Sequence, residues 1–188
     1  MKYIFDFDDV LFNNTVQLKA RIFKAISEAG VPEDKAREYY LEVRVKEFSL
    51  RDFIKTLFNR CNVKLDADET YETIMTECSK FMNVPLIRLV EKFGKDNCYI
   101  ITNGEHEFNQ DKIKYSGIGN LFKKIYIVPG SKKETIEEIC DDNKNEKVFF
   151  VDNRTMFFED LDFKKCPNLK TILYTGQSAE KLMEEFSS

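Results

Sequence analysis

The sequence predicts the fold class α/β, with a doubly wound parallel sheet that carries an α-helical insert. Three observations predict it. Five short runs of β-branched and aromatic residues lack polar alternation, which is typical of strands buried on both faces of a parallel sheet. Segments with helical spacing separate the later runs. A long stretch with helical spacing alone follows the first run, and this stretch predicts the insert.

The predicted strands and the helices between them alternate along the chain. The apolar runs are Tyr3–Phe5, Cys98–Ile101, Ile125–Val128, Val148–Val151 and Thr171–Tyr174. After each of the last four runs, apolar residues recur with the period of a helix, at 108–115, 136–140, 157–161 and 182–186. Strand alternating with helix predicts a Rossmann-like core with a parallel sheet.

The interval from Thr15 to Lys95 shows helical periodicity only. Four apolar periods follow one another there, at 18–26, 39–43, 53–58 and 71–78. A fifth helix, begun by Pro85 and ended by Gly94, then leads into the second strand. Because a crossover between parallel strands needs only about 10–12 residues, we predict that residues 14–83 form a helical domain inserted into a core of residues 1–13 and 84–188.

The composition disfavours nucleic acid and membrane as partners. Among 188 residues, 29 Lys+Arg and 33 Asp+Glu are interspersed, so no basic stripe indicates a polyanionic partner. No apolar run approaches the roughly 20 residues of a membrane span, and the N-terminal run meets Asp6 too early for a signal peptide. Five cysteines without a CxxC pair and one histidine argue against disulfides and zinc. We therefore expect a cytoplasmic protein.

Two carboxylates directly follow the first predicted strand. They are Asp6 and Asp8, spaced i, i+2 in Asp6-Phe7-Asp8-Asp9-Val10. In open α/β sheets the ligand crevice lies beyond the carboxyl ends of the strands, which is where these acids are expected. Neighbouring carboxylates repel unless a cation or a shared proton relieves them, and Mg²⁺ prefers oxygen ligands. The motif predicts a Mg²⁺ site, the alternative being an aspartate that only caps the next turn.

Polar residues also follow the second and fourth predicted strands. The second ends in Thr102-Asn103-Gly104, where a hydroxyl and main-chain N–H groups in a turn are able to hold phosphate oxygens. The fourth ends in Asp152-Asn153, which brings another carboxylate to the same edge of the sheet. Asp152 is therefore a candidate metal ligand, or alternatively a helix cap.

Two lysines follow the third predicted strand. Ser131 and Glu134 have the spacing of a capping box at the start of a helix, with Lys132 and Lys133 between them. A helix N-terminus already favours anions, so a lysine there adds a positive charge to a phosphate-binding position. Surface lysines are the alternative. Lys132 is preferred because Ile136, four residues later, is predicted to face the core.

In this order, the motifs resemble those of the haloacid dehalogenase superfamily. Its pattern is an apolar strand into Asp-x-Asp-x-(Thr/Val), a strand ending in Thr or Ser, a Lys at a helix start and a strand ending in two acids. The resemblance extends from Met1 to about Tyr174. It implies that the helical insert is a small cap domain. It also implies a Mg²⁺-dependent phosphatase whose partner is a small-molecule phosphate ester.

The resemblance also implies a role for each motif residue. Asp6 would attack phosphorus to form an aspartyl-phosphate, and Asp8 would protonate the leaving oxygen and later activate water. Asp6, the main-chain carbonyl of Asp8, and Asp152 would hold Mg²⁺. The phosphate would be bound by Thr102, Asn103, Gly104 and Lys132.

One departure from the family pattern leaves alternatives open. Asn153 stands where the family has a second acid. A phosphomutase acting on a sugar phosphate and a catalytically silent binding or regulatory module are the alternative functions. Within the insert, Arg44, Lys46 and Arg51 either select an anionic leaving group or lie on a solvated helical face.

Overall fold

The computed structural model describes residues 1–44 and 48–187. Its centre is a parallel sheet with the strand order β3-β2-β1-β4-β5. The strands are β1 (Lys2–Phe5), β2 (Cys98–Asn103), β3 (Lys124–Val128), β4 (Val148–Asp152) and β5 (Leu169–Leu173). The predicted fold class is confirmed, and each strand lies at a predicted apolar run.

The register of the sheet places two carboxylates side by side. Phe5 at the end of β1 pairs with Ile100 of β2 and with Val151 of β4. The residues that follow Phe5 and Val151 are Asp6 and Asp152, and the main-chain N–H of Asp6 donates to the carbonyl of Val151 at 2.9 Å. The parallel register thus brings these two acids to the same edge of the sheet.

The α-helices occur where the periodicity predicts them. They are α1 (Lys19–Glu28), α2 (Glu33–Val43), α3 (Leu50–Arg60), α4 (Ala67–Met75), α5 (Val84–Phe93), α6 (His106–Ser116), α7 (Lys133–Asp142), α8 (Met156–Glu159) and α9 (Ala179–Ser187). Within residues 1–44 and 48–187, no helix combines the length and the apolar character needed to cross a bilayer.

The chain divides into two compact units. The first contains the sheet and comprises Met1–Phe12, Met82–Asn103 and Ile118–Ser188. The second comprises Asn13–Phe81 and Gly104–Gly117, and so it holds α1 to α4 together with α6. The assignment of a catalytic core and a cap to the ranges predicted from the sequence stays a prediction.

The grouping of α6 differs from the sequence analysis, which placed residues 104–117 in the core. Contacts made by its side chains explain the difference. The ring of Phe108 lies 6.0 Å from that of Phe48. The hydroxyl of Tyr71 donates to Asp111 at 2.7 Å, and the hydroxyl of Tyr115 donates to a carboxylate on α4. Helical periodicity indicates that α6 has an apolar face but does not say which helices that face contacts.

Helix α7 has a fixed rotational phase in the first unit. Its buried residues Ile136, Ile139 and Cys140 belong to an apolar cluster that also contains Ile4 and Phe150 from the sheet. Burying such side chains is the main favourable term in folding, so rotation of this helix would be costly. The phase of α7 therefore fixes the direction of the residues at its N-terminus.

Candidate active site

A tight loop follows β1 and carries the first motif. The main-chain N–H groups of Leu11 and Phe12 both donate to the carbonyl of Phe7, at 3.0 and 2.9 Å. Asp9 has φ 59°, in the left-handed region that Asp and Asn tolerate better than most residues. Asp6 at the start of the loop is buried, and Asp8 is half-buried.

The ammonium of Lys132 bridges two buried carboxylates. Its Nζ lies 2.7 Å from Oδ1 of Asp6 and 2.6 Å from Oδ2 of Asp152. The lysine side chain is 1% exposed, and the ring centroid of Phe157 lies 4.4 Å from the same nitrogen. The second oxygen of Asp152 accepts from the main-chain N–H of Arg154 at 2.9 Å. The strands and α7 thus assemble three sequence-predicted site residues into one buried cluster, the Asp6–Lys132–Asp152 cluster.

The start of α7 differs from the predicted capping box. The helix begins at Lys133, and Lys132 is its N-cap residue. Ser131 Oγ accepts from the main-chain N–H of Lys133 at 3.1 Å and makes no bond to the N–H of Glu134. The helix starts too late for the predicted capping box, and the phase of α7 directs Lys132 to Asp6 and Asp152. Lys133 is 39% exposed, with its Nζ 4.0 Å from Glu137.

Burial governs the acidity of Asp6. It raises the pKa of Asp6 to about 7, against the opposing effect of Lys132 and with a further increase from Asp152 and Asp8. One ammonium therefore does not fully stabilise two buried carboxylates. Additional positive charge at this position would favour the ionised form of Asp6.

The carboxylate oxygens of Asp6 and Asp152 are of the ligand type that Mg²⁺ prefers. Across residues 1–44 and 48–187, no three His, Cys, Asp or Glu side chains form a group able to hold a metal. A metal site here therefore needs main-chain or neutral oxygens beside Asp6 and Asp152. Directly after Asp152, Oδ1 of Asn153 is buried and accepts no hydrogen bond from any described residue. A donor set of carboxylate and neutral oxygens without sulfur or nitrogen suits Mg²⁺.

The residues predicted to bind phosphate do not share one environment. Thr102 is fully buried at the end of β2, and its Oγ1 has no hydrogen-bond partner among the described residues. The side-chain amide of Asn103 donates to the carbonyls of Val128 and Gly130, at 3.2 and 2.8 Å. Asn103 thus holds the loop before Lys132, and its contact with substrate stays a prediction.

Gly104 lies at the start of a segment of the second unit. Its φ is +137°, and a Cβ added there would meet Nδ2 of Asn109 at 2.8 Å. Both facts require glycine at this position. The geometry of the turn therefore explains Gly104, and a role in phosphate binding stays a prediction.

No motif or periodicity in the sequence indicates a contact between Asn83 and Tyr174. Nδ2 of Asn83 donates to the carbonyl of Val10 at 2.9 Å and to the hydroxyl of Tyr174 at 2.8 Å. Asn83 and Tyr174 are 91 residues apart in the chain. Neither periodicity nor a local motif can indicate a polar contact over such a separation.

The basic residues of the insert have different surroundings. Lys46 lies outside the described residues, and Arg44 is exposed at the end of α2. Arg51 donates to Asp68 at 2.5 Å, and its guanidinium lies over the ring of Tyr71 at 4.0 Å. Further carboxylates, those of Glu72, Glu107 and Asp111, lie within 3.4–3.9 Å of the same group. The charge of Arg51 is therefore balanced within its own unit.

Fold and site together define an α/β protein with a buried cluster of two acids and a lysine at the carboxyl edge of a parallel sheet. A family model described as haloacid dehalogenase-like hydrolase matches residues 3–163. The chain therefore belongs to that family. No curated protein matches the chain.

Three solved structures share the fold at low sequence identity. A candidate haloacid dehalogenase-like hydrolase from Burkholderia xenovorans LB400 has a TM-score of 0.69 and 15% identity, over 99% of this chain and 87% of that one. The candidate hydrolase YfnB from Bacillus subtilis, solved with magnesium bound, has a TM-score of 0.57 and 12% identity, over 100% of this chain and 98% of that one. A candidate β-phosphoglucomutase from Thermotoga maritima has a TM-score of 0.56 and 16% identity, over 98% of this chain and 91% of that one.

Proposed function

We propose that the protein is a Mg²⁺-dependent phosphatase that hydrolyses a small phosphorylated metabolite through an aspartyl-phosphate. The observation that carries the proposal is the cluster in which Lys132 lies 2.7 Å from Asp6 and 2.6 Å from Asp152 at the carboxyl edge of the sheet. A buried ammonium beside a carboxylate suits the transfer of a phosphoryl group, because it stabilises negative charge on the transferred oxygens.

Asp6 is the proposed nucleophile. Lys132 contacts Oδ1, and we assign the attack on phosphorus to Oδ2. In the first step the bond from Asp6 to phosphorus forms while the ester P–O bond breaks, and Asp8 gives its proton to the departing oxygen. In the second step water attacks the acyl phosphate, Asp8 takes the proton of that water, and the Asp6 carboxylate is released with inorganic phosphate. Thr102, whose buried hydroxyl has no partner among the described residues, would donate to a phosphate oxygen.

Asp6, the main-chain carbonyl of Asp8, and Asp152 would hold Mg²⁺, with Asn153 Oδ1 accepting from a water ligand. When bound, the metal supplies positive charge that offsets the charge of the phosphate. Two observations support this assignment: the cluster contains two carboxylates but one ammonium, and Oδ1 of Asn153 has no hydrogen-bond partner in the part of the chain that the structure describes. The magnesium in YfnB, a protein of the same fold, agrees with it.

The chemistry of Asp8 favours a phosphatase over a dehalogenase. A halide leaves without a proton, so a second acid in the loop would have no task, whereas an alkoxide leaving group needs one. A phosphomutase that returns the phosphoryl group to a sugar uses the same two acids. The Thermotoga structure is the reason to test for it.

A panel of phosphorylated metabolites, assayed with and without Mg²⁺, tests the proposal. We expect release of inorganic phosphate from at least one ester, loss of that activity in excess chelator and recovery on adding Mg²⁺. Calorimetry should show weaker Mg²⁺ binding by Asp152→Ala than by the unmodified protein. Full activity in chelator would refute the metal dependence, and transfer between two positions of one sugar without free phosphate would identify a mutase.

A further inference from the structure

Asn83 occupies the N-cap position of α5 but does not cap the helix. Asn is among the preferred N-cap residues because its side-chain oxygen accepts from an N–H of the first turn. Here the side chain of Asn83 makes no such bond to α5. Its amide instead donates to the Val10 carbonyl at 2.9 Å and to the Tyr174 hydroxyl at 2.8 Å. The side chain therefore joins other segments of the first unit.

One partner of Asn83 lies in the loop that carries Asp8, and the other is bonded to the end of the strand that carries Asp152. Val10 lies two residues after Asp8, in the loop that follows β1. Tyr174 follows β5, and its main-chain N–H donates to the carbonyl of Asp152 at 2.8 Å. The main-chain N–H of Asn83 also donates to the carbonyl of Leu11 at 2.8 Å. One side chain thus ties the Asp8 loop to the strand end that holds Asp152.

We infer that Asn83 and Tyr174 are positioning residues that fix the Asp8 loop, residues 8–12, relative to Asp152. This inference rests on the proposed function for the role of Asp8 as acid and base. A general acid acts only when its proton lies within hydrogen-bond reach of the leaving oxygen. Asp8 is half-buried in a loop, whereas Asp6 and Asp152 are buried and share Lys132. The position of Asp8 therefore depends on what holds its loop.

Two substitutions separate the bonds of this link. Asn83→Asp keeps the size of the side chain. Its carboxylate can no longer donate to the Val10 carbonyl or to the Tyr174 hydroxyl, although that hydroxyl is able to donate to the carboxylate instead. Tyr174→Phe removes only the hydroxyl and is the milder change. Asn168→Asp is the matched control, because Asn168 lies just before β5. Its Nδ2 donates to the main-chain carbonyls of Cys140, Asn143 and Glu146.

Amide hydrogen exchange tests the link without reference to catalysis. Asn83→Asp should speed exchange of the Leu11 and Phe12 amides about five- to tenfold, as expected for the loss of one hydrogen bond. Tyr174→Phe should also speed exchange of these two amides, but by a smaller factor. Asn168→Asp should leave exchange in the loop unchanged. Unchanged exchange there in both Asn83→Asp and Tyr174→Phe would overturn the inference.

The leaving-group dependence of kcat/KM tests the consequence for Asp8. Asn83→Asp should lower kcat/KM for an alkyl phosphate by about 10- to 100-fold, the size of a small misplacement of a catalytic group. The loss should be much smaller with p-nitrophenyl phosphate, whose leaving group hardly needs a proton. An equal loss on both esters would indicate general damage and refute the positioning role. If the unmodified protein hydrolyses no ester, the proposed function fails, and the exchange result alone decides whether Asn83 fixes the loop.

Discussion

The buried Asp6–Lys132–Asp152 cluster and the cluster around Arg51 contain the same kinds of ion pair but differ in acidity. In the first, burial raises the pKa of Asp6 to about 7 although Lys132 lies within 2.7 Å. In the second, the hydrogen bond from Arg51 lowers the pKa of Asp68, whose side chain is 49% exposed. Both clusters hold more carboxylates than cations.

The difference between these clusters shows how burial turns an ion pair into a reactive site. Solvent screens the partly exposed charges around Arg51, so the extra carboxylates there cost little. In the buried cluster the same excess of negative charge is poorly solvated. A cation or an electrophilic phosphate would relieve that excess, and this is why we assign chemistry to Asp6 and none to Asp68.

Removing the buried ammonium should have the largest effect on stability. Lys132→Ala leaves two buried carboxylates without their cation, and we expect a loss of about 3–5 kcal/mol in the free energy of unfolding of the metal-free protein. Most of the activity should be lost as well. Lys133→Ala is the matched control and should change stability by less than about 0.5 kcal/mol. Urea unfolding of both variants measures these losses in the free energy of unfolding. Equal losses in the two variants would contradict the assignment of Lys132 as the buried functional lysine.

The raised pKa of Asp6 predicts a pH dependence of stability with a definite sign. Between the unfolded value of 3.8 and the folded value of about 7, the folded protein binds more protons than the unfolded chain. Ionised Asp6 therefore destabilises the metal-free protein progressively as pH rises through that window. At pH 8 the free energy of unfolding of Asp6→Asn should exceed that of the unmodified protein by up to about 4 kcal/mol. This difference in stability should vanish near pH 4.

Thermal unfolding in chelator, repeated from pH 4 to pH 8, measures this difference. Added Mg²⁺ should reduce the advantage of Asp6→Asn at pH 8, since the ion would stabilise the Asp6 carboxylate of the unmodified protein. A difference in stability between the two proteins that stays constant from pH 4 to pH 8 would show that burial does not raise the pKa of Asp6.

Several of these residues could be predicted from the sequence, and others could not. The strands follow from uninterrupted apolar runs, and the preference for Lys132 follows from the phase of Ile136, because both signals are local. Asn83 could not be predicted because its partners are distant in the chain. The grouping of α6 with α1 to α4 could not be predicted because it depends on contacts of the α6 side chains. The predicted capping box is wrong. Ser131 and Glu134 have the spacing of such a box, but the helix begins only at Lys133, so Ser131 is not its N-cap residue.

Within the cluster around Arg51, a substitution should have a smaller effect on stability than the loss of Lys132. Arg51→Ala removes a guanidinium that is 26% exposed and packs over Tyr71, and we expect a loss of about 1 kcal/mol in the free energy of unfolding. The electrostatic part of that loss should shrink in 1 M NaCl, where the screening length is about 3 Å. The loss in Lys132→Ala should persist in the same salt. Urea unfolding at low and high salt compares the two, and a strong salt dependence for Lys132→Ala would contradict its burial.

The phosphorylated enzyme is the most direct test of the central claim that Asp6 is the nucleophile of a buried, cation-dependent site. In Asp8→Asn, turnover of alkyl esters should fall by about 10²–10⁴-fold because the general acid and base is lost. With p-nitrophenyl phosphate the first step should survive, so a phosphoenzyme should accumulate while its hydrolysis is slow. Rapid quenching followed by peptide mass spectrometry should find the phosphoryl group on Asp6 and should find none in the Asp6→Asn/Asp8→Asn double variant. Phosphorylation of another residue, or label in the double variant, would contradict the account.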